Sequence, residues 1–127
     1  MKKVLLIFVI SLFSLSVIAQ KNLVILHTND THSQIDPYVS KESRSGGVLA
    51  RMEYLKSVRD TAGCTLLLDA GDFSQGSPYF NVFKGVAEIE LMNMMGYDVV
   101  TLGNHEFDFG CKVLGKRLKK ANFQVVC

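Results

Sequence analysis

The sequence predicts an α/β protein built around a mainly parallel sheet, and three observations predict it. Short apolar runs alternate with stretches in which apolar residues recur at helical spacing. Glycines fall between these segments, where helices break or end. The residues that follow three of the apolar runs are rich in carboxylate, imidazole and amide groups, unlike ordinary turns.

The elements follow in order. Leu23, Val24, Ile25 and Leu26 form a run too short for a helix and flanked by polar residues, which suits a strand buried on both faces. Across residues 47–60 the period changes. Val48, Leu49, Met52, Leu55 and Val58 share one helical face, and Arg51, Glu53, Lys56 and Arg59 occupy the other. Gly63 closes that region, and residues 65–68 form a second apolar strand. A helix is predicted over residues 86–95, broken at Gly85 from a shorter turn around residues 79–83 and capped by Gly96. Residues 99–102 make a third strand. A helix over residues 111–120 directs Val113, Leu114 and Leu118 inward, and residues 123–126 form a fourth strand. This βαβαβαβ order is that of crossover units feeding a parallel sheet, whose carboxyl-end loops share one edge where ligands bind.

Residues 1–19 read as an export leader and residues 20–127 as the domain proper. Lys2 and Lys3 precede an uncharged stretch from Val4 to Ile18, interrupted only by Ser11, Ser14 and Ser16, and cleavage after Ala19 places Val17 and Ala19 in the recognition slots. The stretch falls short of the ~20 residues that span a bilayer, so no stable membrane span is expected after cleavage. The product is expected in the periplasm or outside the cell. No cysteine lies near the cut, which argues against lipid attachment.

The 127 residues carry 14 Lys plus Arg against 12 Asp plus Glu, a formal charge of +2. The leader removes Lys2 and Lys3 and no acid, so the net charge of the remainder is zero. This argues against a dedicated nucleic-acid binder, which needs a basic excess on one face. Cys64, Cys111 and Cys127 are odd in number and widely spaced, fitting neither a disulfide framework nor a zinc knuckle. They read as buried free thiols, with a bridge formed after export as the alternative. The chain stops directly after the fourth strand, which reads as a fragment.

The strand exits carry the chemistry. They are His27-Thr28-Asn29-Asp30-Thr31-His32, Asp69-Ala70-Gly71-Asp72 and Gly103-Asn104-His105-Glu106-Phe107-Asp108. Asp30 and His32 are two apart, so an extended segment projects both to one side, where they can grip one cation. Gly71 leaves room for close backbone approach before Asp72, and Asn104 adds an amide oxygen. Mixed carboxylate, imidazole and amide donors suit zinc or manganese better than calcium. Asp30, His32, Asp72 and Asn104 are too few for two ions, which points to ligands beyond residue 127. His105 and Asp108, three apart in a turn, are neighbours, so the carboxylate can orient the imidazole. An oriented, proton-donating imidazole beside cations is what phosphoryl transfer needs.

The strings LHTNDTHSQ, GGVLAR, DAGDFSQGSPYF and GYDVVTLGNHEFDFG resemble the amino-terminal half of the metallophosphoesterase domain of secreted 5′-nucleotidases, relatives of the calcineurin-like phosphatases. The resemblance covers nearly all of residues 22–127. It implies an αββα sandwich, of which this chain supplies the amino-terminal βαβαβαβ portion. It implies two divalent metal ions: Asp30 and His32 as ligands of one, Asp72 bridging both, and Asn104 on the second while also facing the substrate phosphate. His105 matches the catalytic histidine, which also meets the substrate, and Asp108 its acidic partner. Sequences similar to the cyclic phosphodiesterase branch tend to carry Asn at the position of Asp108, so GNHEFD leans towards 5′-nucleotidase. The family also brings later histidines and a carboxyl-terminal domain that stacks the nucleotide base between aromatics.

Other conspicuous residues have plainer readings. His27 reads as a satisfied core or strand-end histidine, Asp69 as a turn-making or outer-shell group, and Glu106 as fold-supporting. Lys112, Lys116, Arg117, Lys119 and Lys120 read as a solvated helix end. Met92, Met94 and Met95 read as core filler, and Tyr79 and Phe80 as local packing. The function expected of the whole protein is release of phosphate from nucleoside 5′-monophosphates by in-line attack of hydroxide on phosphorus. Alternatives are 2′,3′-cyclic nucleotide phosphodiesterase with 3′-nucleotidase activity, nucleotide-sugar hydrolysis, or a silent truncated metal-binding or interaction fragment. The isolated 127 residues are expected to be inactive.

Overall fold

A computed structural model describes residues 22–127. The export leader expected over residues 1–19 lies outside them. The elements are β1 (Leu23–Thr28), β2 (Tyr38–Val39), β3 (Arg44–Ser45), α1 (Gly47–Thr61), β4 (Cys64–Asp69), α2 (Pro78–Phe83), α3 (Val86–Met95), β5 (Val99–Thr101), a 3-10 turn (His105–Phe107), α4 (Cys111–Leu118) and β6 (Gln124–Val126).

The four predicted strands form one sheet in the order β1-β4-β5-β6, and every neighbouring pair is parallel. Spatial order follows chain order, so each crossover places the next strand beside the last. The three strand exits therefore fall at one edge. The short antiparallel hairpin of β2 and β3 is an addition to the predicted elements, because two-residue strands leave no periodic signal.

The core lies on one face of the sheet. Leu67 and Val100 of the central strands meet Val48 and Leu55 of α1 and Ile89, Met92 and Met95 of α3, with Phe73, Tyr97 and Phe123 closing the ends. Fully burying such side chains is worth about 1.5–3 kcal/mol each. Gly96, in the left-handed conformation at φ 68°, caps α3 as its position predicts.

Several burial expectations are corrected. The apolar run of the first strand suggests burial on both faces, but β1 alternates, leaving Leu23 and Ile25 more than half exposed. Helices cover only one face of the sheet among the described residues. Leu49, expected on the inner face of its helix, is 76% exposed, because Val48 and Leu55 set the buried stripe about one turn-edge away. Met92 and Met95 fill the core, while Met94 points to solvent. The three cysteines are free but exposed rather than buried: Cys64 and Cys111 begin β4 and α4, and Cys127 follows β6.

Candidate functional site

Three loops at the carboxyl edge of the sheet build the site. Asp30 and His32 follow β1, Asp72 follows β4, and Asn104 and His105 follow β5. The first loop is not extended, which corrects the reason given for pairing Asp30 with His32. Asp30, His32 and Ser33 have φ of 52°, 43° and 54°, so the chain turns through the left-handed region. It is held there by the second loop. Asp30 N–H donates to Gly71 O at 3.1 Å, His32 N–H to Asp72 O at 3.1 Å and Ser33 N–H to Phe73 O at 3.0 Å. Beneath it, the buried Ser33 hydroxyl donates to Glu88 of α3.

The second and third loops meet at a glycine pair. Gly71 has φ +98°, and a Cβ there would lie 2.6 Å from Gly103 N. A Cβ on Gly103 would in turn run into Asp72 Oδ1. The contact requires two residues without side chains. His105 N–H then donates to Asp72 Oδ1 at 2.9 Å.

Asp30, His32 and Asp72 converge as a result. Each offers one ligand atom, and these atoms lie within 4.8 Å of one another. Opposed ligands at bond lengths of about 2.0–2.2 Å stand just over 4 Å apart, so the cluster has the dimension of one coordination sphere. Two carboxylates and an imidazole suit a divalent ion of intermediate softness. The residues present therefore fit such an ion. Asn104 is exposed and directly precedes His105, which places it on the turn that abuts Asp72.

His105 Nδ1 lies 3.0 Å from Asp108 Oδ2. The hydrogen bond to Asp108 raises the imidazole pKa above its ordinary value; desolvation opposes the shift, and the charges of Asp108, Asp72 and Glu106 support it. The His105 ring also meets the His32 ring edge-on, with centroids 5.2 Å apart. The His105–Asp108 pair and the candidate ligands thus share one site.

Surrounding groups divide clearly. Asp69 is buried and makes its turn, accepting Gly71 N–H at 2.9 Å on Oδ1 and the Thr28 hydroxyl at 2.5 Å on Oδ2. Thr28 Oγ1 also shares a hydrogen bond with the Tyr97 hydroxyl at 2.7 Å. Burial raises the pKa of both Asp69 and Tyr97. Glu106 is 1% exposed and accepts three backbone N–H groups, from Asp72, Ser74 and Gly103. His27 is exposed on the open sheet face and takes no part, so it is a strand-end rather than a core histidine.

Arg117 corrects the solvated helix end. It is 2% exposed and donates to Lys84 O at 3.2 Å and to Glu106 O. Its guanidinium lies over the Phe80 ring at 5.7 Å, in space left by Gly85. Its place in a run of lysines conceals this. The signal is its i, i+3 spacing from Leu114, which puts both on the buried stripe of α4.

The family model described as Calcineurin-like phosphoesterase matches residues 23–125. The chain belongs to this family. Among curated relatives, it is 42% identical over 112 residues to the snake venom 5′-nucleotidase of Gloydius brevicauda, covering 82% of this chain and 19% of the relative. It is 43% identical over 93 residues to the trifunctional nucleotide phosphoesterase protein YfkN of Bacillus subtilis, covering 73% and 6%. Among solved structures, the 5′-nucleotidase precursor of Thermus thermophilus superposes with a TM-score of 0.77 at 42% identity, covering 82% of this chain and 21% of that one. The calcineurin-like phosphoesterase region described by residues 22–127 thus spans about a fifth of the 5′-nucleotidases it matches. The match includes all three loops of the site. Among the described residues, no helix is long and apolar enough to cross a membrane.

Proposed function

We propose that the whole protein is an exported two-metal phosphoesterase that releases phosphate from nucleoside 5′-monophosphates. The observation that carries this reading is the convergence of Asp30, His32 and Asp72 beside the hydrogen-bonded His105–Asp108 pair. The 5′-nucleotidase relatives supply the substrate class.

In this reading Asp30 and His32 would hold one ion, Asp72 would serve both, and Asn104 would serve the second and face the phosphate. Bound divalent ions supply positive charge that polarises the phosphoryl oxygens and offsets the charge that builds during transfer. Asp108 holds the His105 ring through Nδ1, leaving Nε2 to serve the phosphoryl or leaving oxygen. In the ion-free chain the hydrogen bond to Asp108 raises the His105 pKa, and a protonated ring there donates rather than accepts. The glycine contact between Gly71 and Gly103 keeps Asp72 and His105 at one separation.

Residues 1–19 act as the leader and residues 20–127 as the amino-terminal part of the catalytic domain, with the remaining ligands and the base-binding domain supplied elsewhere in the protein. The open sheet face, with Leu23, Ile25 and Val126 exposed, supports a further layer against it. The 127 residues alone are accordingly inactive.

His105→Ala in the full-length protein should lower turnover of AMP by about 10²–10⁴-fold while sparing metal binding. Unchanged phosphate release would sink the assignment. The trifunctional relative favours a second reading with the same chemistry on 2′,3′-cyclic nucleotides or 3′-nucleotides. A substrate panel that ranks those above AMP would establish it.

A further inference from the structure

We propose that Glu106 is the positioning residue of the metal centre, clamping the Asp72 and Asn104 loops together through backbone N–H groups so that their donors converge. This rests on the two-ion reading and adds to it a residue that touches neither ion nor substrate.

The carboxylate of Glu106 joins both loops. Oε2 accepts Asp72 N–H at 2.9 Å and Gly103 N–H at 2.6 Å, and Oε1 accepts Ser74 N–H at 3.0 Å. Asp72 returns the bond by accepting His105 N–H at 2.9 Å on Oδ1. The two loops thus exchange carboxylates: an acid from each accepts backbone N–H groups of the other. The turn that carries Glu106 is braced from behind by Arg117, which donates to the Glu106 carbonyl. A carboxylate is almost never fully buried unless paired or hydrogen-bonded, and here it is 1% exposed with three donors aimed at it.

The chemistry requires a group that only accepts. A glutamine at this position presents one oxygen and one NH2, so whichever way it turns, at least one of the three N–H groups faces another donor. A role in stability alone predicts that any core defect of equal size has the same effect. A positioning role predicts a defect confined to the centre.

The test uses the full-length chain stripped of metal and titrated with Mn²⁺, with free Mn²⁺ read by electron paramagnetic resonance and backbone amides by hydrogen exchange. Glu106→Gln should raise the Mn²⁺ dissociation constant by about 10- to 100-fold and remove exchange protection at Asp72, Ser74 and Gly103. Leu55→Ala, a core change in α1 away from the loops, should lower the unfolding midpoint and leave Mn²⁺ affinity unchanged. Wild-type affinity and protection in Glu106→Gln would overturn the proposal, as would equal loss of affinity in Leu55→Ala. Asp72→Asn separates the two claims. If it leaves Mn²⁺ affinity unchanged, the two-ion reading falls, and protection of the three amides decides the clamp by itself.

Discussion

His105 Nδ1 lies 3.0 Å from Asp108 Oδ2, and this one contact orients the imidazole and favours its cation. In the metal-free protein, Asp108→Asn should therefore lower the midpoint of the His105 ring titration, because the main cause of its upward shift is gone. Proton NMR of the ring against pH reads this directly. An unchanged midpoint would mean that Asp108 does not set the protonation of His105.

Asp69 provides a stability test with the sign worked out. Burial raises its carboxyl above the ordinary value of 3.8, so the folded chain holds that proton more tightly than the unfolded one. The contribution is complete below the unfolded value and is lost as pH rises through the folded value. Asp69→Asn keeps an oxygen for Gly71 N–H and has no proton to lose. Its stability relative to the natural chain should rise with pH across that window and level off above it. Urea denaturation between about pH 3 and pH 7 checks this, and a pH-independent difference would contradict it.

Arg117 should behave as a core residue. Arg117→Ala removes donors to two carbonyls and the stacking on Phe80, and should cost about 2–4 kcal/mol in denaturant unfolding. Arg117→Lys should recover little of it, because an ammonium lacks the planar fork that reaches both carbonyls. Lys116→Ala, next to it and exposed, should change stability by less than about 0.5 kcal/mol.

Gly71→Ala should damage stability and site together. The residue has φ +98°, and its Cβ would lie 2.6 Å from Gly103 N, so the loops that carry Asp72 and Asn104 must separate. A loss of at least about 2 kcal/mol is expected, with weakened Mn²⁺ binding. Calorimetry and metal titration on the same sample read both effects.

Most of the architecture is legible in the sequence because its signal is local. The change from apolar runs to helical spacing locates β1, α1, β4, α3, β5, α4 and β6 close to their observed bounds. The donor-rich exits identify the loops. Burial is less legible at Leu49, Met94, Cys64, Cys111 and Arg117, since exposure depends on which face a neighbouring element covers. The route by which Asp30 and His32 meet is hidden as well: two-residue spacing is the same in a strand and in a left-handed turn, and only pairing with residues 71–73 selects the turn.

The sequence by itself determined the family, the order of strands and helices, and the side chains available at the strand exits, because each depends on residues close together in the chain. Tertiary structure alone decided how those exits are held. Glu106 gathers N–H groups from residues 72 and 74, and Gly71 meets Gly103, across more than thirty positions of sequence. Nothing in local spacing encodes such a contact. It arises because parallel crossovers set β4 beside β5, and the backbone groups of two irregular loops must then find partners away from water.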